Sequence, residues 1–81
     1  MSAKRKRLHP AKARDVLKAL NRLGFVARHS KGSQVLLKHP DGRTTTVPVH
    51  PREELDRVLL RKISADVRME SEEFMFVVDE T

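Results

Sequence analysis

Two tight-turn signatures constrain this chain more than anything else in it. Lys31-Gly32-Ser33 and Pro40-Asp41-Gly42 bracket one short run, residues 34–39, whose centre is apolar at Val35, Leu36 and Leu37. Asp-Gly tolerates positive φ and is a strong hairpin signal. A chain that reverses twice over so few residues makes three consecutive antiparallel strands. The spacing predicts them at residues 25–30, 34–39 and 43–49. The third is rich in Thr44, Thr45, Thr46 and Val47, which suit a pleated surface. Pro48 lacks an N–H for the ladder, so it belongs at a sheet edge or at the strand's exit.

Helical patterns flank this meander. Residues 10–23 carry Ala13, Val16, Leu17, Leu20 and Leu23 on one stripe. Pro10 suits a first helical position, and Gly24 stands where a left-handed C-terminal cap belongs. After the meander, His50-Pro51 breaks the strand and a second helix runs to about residue 66. Glu53 and Glu54 fit its first turn, or Asp56 caps a later start. Leu55, Val58, Leu59, Leu60 and Ile63 supply its buried face. Ser71-Glu72-Glu73-Phe74 predicts one last short helical turn. The apolar run 74–78 then closes the core or offers an edge to a partner chain. The order is helix, three strands, helix. That is an α+β fold, a two-layer α-β-β-β-α sandwich: a three-stranded antiparallel sheet with helices on one face and the other face open. At 81 residues there is room for one core. The expected domain is residues 10–76, between a flexible basic arm at 1–9 and an acidic tail at 77–81.

Charge points to the partner. Residues 1–35 hold ten Lys/Arg against one Asp, a balance of +9. Residues 36–81 hold seven against ten Asp/Glu, a balance of −3. A basic half of this strength suits a polyanion, RNA first. There is no Tyr or Trp, which argues against recognition by base stacking and leaves phosphate and 2′-OH contacts. Without cysteine there is no thiolate site or disulfide, which suits a cytoplasmic protein. His9, His29, His39 and His50 show no metal-ligand spacing, and no glycine-rich phosphate loop is present. No metal, cofactor or small-molecule ligand is expected. No membrane span is expected either, since the longest apolar stretch is far too short.

Seven short motifs succeed one another along the chain: Ala13-Arg14-Asp15-Val16, Leu23-Gly24-Phe25-Val26, Lys31-Gly32-Ser33, His39-Pro40-Asp41-Gly42-Arg43, Val47-Pro48-Val49-His50, Leu60-Arg61-Lys62-Ile63 and Glu72-Glu73-Phe74. Over about residues 10–75 the chain resembles the HicA (YcfA-like) family of small toxins. The resemblance implies the fold of double-stranded-RNA-binding domains. It also implies a metal-independent mRNA interferase, an endoribonuclease of a toxin–antitoxin pair, neutralised by a HicB-like antitoxin. The family's one catalytic histidine directly follows the Gly-Ser of the turn.

Here that position is Gln34. An imidazole titrates near neutrality and can accept or donate a proton, whereas a primary amide only exchanges hydrogen bonds. Gln34 thus keeps a binding role and loses the acid–base role, and the expectation is an RNA-binding chain whose cleavage is impaired or absent. The alternatives are a non-catalytic module that binds a HicB-like antitoxin, or an active ribonuclease using another histidine, His29 or His39. His29 lies across the turn from Gln34. The RNA-binding candidates are Arg28, Lys31, Ser33, Gln34 and Lys38. His39 and His50 are read as structural, and Asp41 and Gly42 as turn formers only. Arg57, Arg61 and Lys62 fall about a turn apart and extend the basic surface.

Overall fold

The computed structural model describes residues 5–49 and 54–81. Eight elements follow in chain order: β1 (Ala11–Lys12), α1 (Ala13–Arg22), β2 (Val26–Lys31), β3 (Gln34–Lys38), β4 (Thr44–Pro48), β5 (Glu54–Leu55), α2 (Arg57–Asp66) and α3 (Ser71–Asp79). β2, β3 and β4 form the antiparallel sheet, with β3 central. α1 and α2 pack on one face of it, against β4, and α3 packs against both of these helices. Pro48 lies on β4, an edge strand, where a missing N–H costs no ladder bond.

The turns form as their residues dictate. Gly32 has φ +61° at the first position of the two-residue β2–β3 turn, and Gly42 has φ +102° beyond Pro40-Asp41. The Gly42 N–H bonds the His39 carbonyl at 2.9 Å and the His39 N–H bonds the Arg43 carbonyl, closing a three-residue loop. Gly24, at φ +102°, ends α1. Its N–H bonds the Asn21 carbonyl, and the Phe25 N–H bonds that of Leu20, so the last helical carbonyls are satisfied.

The core lies between sheet and helices. Val16, Ala19 and Leu20 of α1, Leu60 and Ile63 of α2, and Phe74, Met75 and Val78 of α3 are buried with Phe25, Leu37 and Val47. Asp56 caps α2, its carboxylate accepting the Leu59 N–H at 2.9 Å. The later helix start is therefore the one adopted. Glu54 instead pairs in a short ladder, β5 against β1, with Ala11 opposite Leu55. That pairing displaces the expected helical start at residues 10–12. His50, Pro51, Arg52 and Glu53 lie outside the described residues, as do residues 1–4.

Both chain ends differ from expectation. The run 74–78 closes the core, the first of its two expected roles, and is not an edge, but it reaches well beyond the single turn expected. It is the middle of a nine-residue helix that seals the core against α1 and α2. Residues 77–79, expected in the tail, belong to that helix. The expected arm, from residue 5 onward, lies along α3. The Lys6 N–H bonds the Glu72 carbonyl, Arg5 pairs with Glu70 and Glu72, and His9 pairs with Asp79. Leu8 packs against the core. Acidic side chains on α3 neutralise the like charge that was expected to hold this segment away.

Candidate nucleic-acid interface

The face of the sheet turned away from the helices carries the candidate residues. Strand alternation assigns the two sides. Leu37, Thr45 and Val47 are buried under the helices. Gln34, Leu36 and Lys38 of β3 and Thr44, Thr46 and Pro48 of β4 therefore line the outer face.

On β2 a break in register decides the matter. Ala27 pairs with Leu37, but His29 pairs with Leu36, so Arg28 is an extra residue in the ladder. Without this bulge, His29 would share the inward side with Ala27. One inserted residue reverses the side-chain alternation beyond it. It thereby brings His29 and Lys31 onto the outer face with Gln34, whose register partners are Lys31 and Pro48. His29, Lys31, Gln34, Leu36 and Thr46 line a depression of about 300 Å³. Val26, Arg28, Lys38, His39 and Pro40 line a neighbouring one of about 270 Å³. No acidic side chain lines either, and all six residues of β2 are exposed.

Each residue singled out from the sequence has its place in this arrangement. Lys31 and Gln34 share the first depression, and Arg28 and Lys38 the second. Ser33 is in the turn, where its carbonyl accepts the Val49 N–H. Of the two histidines weighed as alternative bases, only His29 reaches the Gln34 depression. The His39 ring is built into the scaffold. Its Nδ1 faces the Asp41 N–H at 3.1 Å, and the ring meets Phe25 edge-on at 5.1 Å. Arg57, Arg61 and Lys62 lie on α2, in the opposite layer, and do not join this surface.

Asp41 does more than form a turn. Its carboxylate accepts the Arg43 N–H at 3.0 Å and the Arg43 Nε–H at 2.8 Å. The first of these bonds chiefly holds its carboxyl below the usual range. Arg43 in turn reaches the Val67 carbonyl at the end of α2 and stacks 5.2 Å from the centre of Phe25. The β3–β4 loop is thus tied to the helical layer. Sequence reasoning passed over Arg43, whose only signal was its place in the fourth quoted motif. Among the described residues no group of three His, Cys, Asp or Glu is placed to hold a metal ion, and no helix is long and apolar enough to cross a membrane.

A family model for the HicA toxin of bacterial toxin–antitoxin systems matches residues 13–69. The chain belongs to this family. No curated protein matches it closely enough to count as a relative. The HicA match starts at α1 and ends just past α2. It includes β2–β4 with both depressions, and it leaves out residues 5–12 and α3. The segment clasped to α3 and the helix that seals the core thus lie outside the part of this HicA-family chain that defines its membership.

Proposed function

We propose that this HicA-family chain binds RNA across the open face of its sheet, in the cytoplasm, and that Gln34 leaves binding intact while removing proton transfer. What supports the reading most is the cluster of Lys31, Lys38, Gln34 and His29 on one uncovered, acid-free face. Lysines there neutralise phosphates, Arg28 adds a planar fork, and the Gln34 amide and Ser33 hydroxyl suit sugar or phosphate oxygens. Cleavage by 2′-OH attack needs a group that takes the hydroxyl proton and another that protonates the leaving oxygen. Gln34 does neither. The partner of such a toxin is a HicB-like antitoxin. The rival non-catalytic module would bind that protein and leave RNA alone.

One observation favours a second reading, a residual ribonuclease. The bulge turns His29 into the depression that holds Gln34, so an imidazole stands near the substituted position. The test uses the parent chain, Gln34→His and His29→Ala on labelled RNA in a chelator. The parent should bind, with affinity falling steeply as salt rises. Gln34→His should raise cleavage about 100- to 10,000-fold without a divalent metal. That activity should drop at acidic pH, where imidazole is protonated. Cleavage by the parent that His29→Ala abolishes would overturn the reading of Gln34. RNA binding that shows no salt dependence would remove its electrostatic basis.

A further inference from the structure

A second basic site lies in the helical layer. Arg5, Arg7, Leu8, Arg57, Arg61, Glu70, Ser71 and Glu72 line a cavity of about 450 Å³ between the N-terminal segment, α2 and the start of α3. Four guanidiniums line one recess. Arg57 and Arg61 are one helical turn apart on the exposed side of α2. Neither they nor Arg7 have an acidic partner among the described residues; Arg5 does, ion-paired to Glu70 and Glu72. Its proximity to Glu70 chiefly raises its pKa.

Like charges gathered in one recess repel one another and weaken the fold unless an anion completes them. The two glutamates answer one arginine, and three are left over. Guanidinium is planar, always charged and weakly hydrated, and its paired N–H groups match phosphate oxygens. A row of phosphates uses several such forks at once, as a single small anion does not. The site is absent from the sheet's open face, and half of its arginines come from the segment outside the family match.

We infer that this recess is a second contact for the phosphodiester backbone of RNA, assembled when residues 5–8 lie down against α2 and α3. The inference rests on RNA binding as proposed above and extends it to a surface on the other layer. Glu70 and Glu72 act as an internal competitor. They hold Arg5 in place without ligand and yield it to an incoming phosphate.

The test measures anisotropy of a short, mixed-sequence labelled RNA over a range of salt concentrations, with three double variants of the full chain. Arg57→Ala/Arg61→Ala alters two exposed side chains. It should weaken binding about tenfold at low salt and reduce the log–log salt slope by roughly 1.5, the loss of two phosphate contacts. Glu70→Gln/Glu72→Gln should do the opposite and tighten binding, because Arg5 is released and two negative charges are gone. Glu70 is the N-cap residue of α3 and Glu72 lies in its first turn, so losing both charges weakens rather than firms that helix, and a gain in binding would not come from a more stable α3. Lys31→Ala/Lys38→Ala probes the open face separately. If that variant weakens binding while Arg57→Ala/Arg61→Ala leaves affinity and slope unchanged, the second site is overturned and the open-face reading stands. If the arginine variant loses a HicB-like antitoxin but keeps RNA, the recess belongs to a protein and the inference is overturned. If the parent binds no RNA, both readings fall together. Circular dichroism of each variant establishes that it is folded.

Discussion

The β2–β3 hairpin and the layer of helices use their residues in opposite ways. Every residue of β2 is exposed, and of β3 only Leu37 is buried. The helical layer buries Val16, Ala19, Leu20, Leu60, Ile63, Phe74, Met75 and Val78. The hairpin is therefore held by its ladder, by Leu37 and by the loops at its ends, and its side chains are turned outward. The helices hold the fold. Substitutions on the hairpin should change binding and spare stability, and substitutions under the helices should do the reverse.

The largest effect expected from this contrast is at Phe74, which is fully buried. Phe74→Ala should cost about 3–5 kcal/mol, the lost burial plus the cavity left behind. A domain of this size has little more than that to lose, so the variant should be largely unfolded by urea titration. Lys31→Ala, on the hairpin, should stay within about 0.5 kcal/mol of the parent while weakening RNA binding. Equal destabilisation by the two would erase the division.

The same contrast governs what the sequence reveals. The meander was legible because Gly32 and Gly42 supply positive-φ backbone that few other residues adopt, and Pro40-Asp41 before Gly42 marks a turn. The α1 stripe and its Gly24 stop were legible from periodicity. The β1–β5 ladder was not. It is two residues long on each side, joins positions 44 apart in register (Ala11 with Leu55), and leaves no pattern in either segment. The end of α2 at Asp66 was legible, but the left-handed residue beyond it was not, because Arg68 takes φ 60° where a glycine would have marked it. At the site, the residue types were readable but their common face was not. The bulge at Arg28 that reverses His29 and Lys31 has no sequence signature here. The acidic run near the C-terminus looked like a solvated tail because the partners of Asp79, Lys6 and His9, stand at the other end of the chain.

A smaller effect separates two glycines. Gly24 and Gly32 both have positive φ, so a Cβ strains the backbone at either. At Gly32, in the hairpin, that atom would meet nothing within 4 Å. At Gly24 it would stand 2.8 Å from His39 Nε2. That ring is wedged against Phe25 and tied to the Asp41 N–H, so it yields only by disturbing the β3–β4 loop. Gly32→Ala should cost about 1 kcal/mol. Gly24→Ala should cost about 2–3 kcal/mol, measured by the same titration. If the two cost the same, the scaffold role of His39 is wrong.

The smallest effect is at the clasp between the two ends, and pH reveals it. His9 Nε2 lies 2.9 and 3.0 Å from the two Asp79 carboxylate oxygens, and Nδ1 lies 2.9 Å from the Pro10 carbonyl. Both ring nitrogens face acceptors, so the doubly protonated ring satisfies both. The bond to Asp79, then that to Pro10, raise the His9 pKa, while the nearby Lys6 ammonium, 3.7 Å from the same carboxylate, works against them. A raised pKa in the folded state means that protonation favours folding. The stabilisation is fully present below the ordinary histidine value, about 6.5. It fades as pH climbs through the raised one. The ring is half exposed, so solvent screening holds the effect below about 1 kcal/mol. His9→Ala should therefore lower the urea midpoint at pH 5.5–6 and converge on the parent in mildly alkaline buffer. Lys6→Ala removes the ammonium that opposes protonation of His9 as well as its pairing with Asp79, so it should lower the midpoint less at pH 5.5–6 than in mildly alkaline buffer. A His9→Ala deficit that does not change with pH would mean that the ring only packs there, and that the ends are held by Arg5 and Leu8 instead.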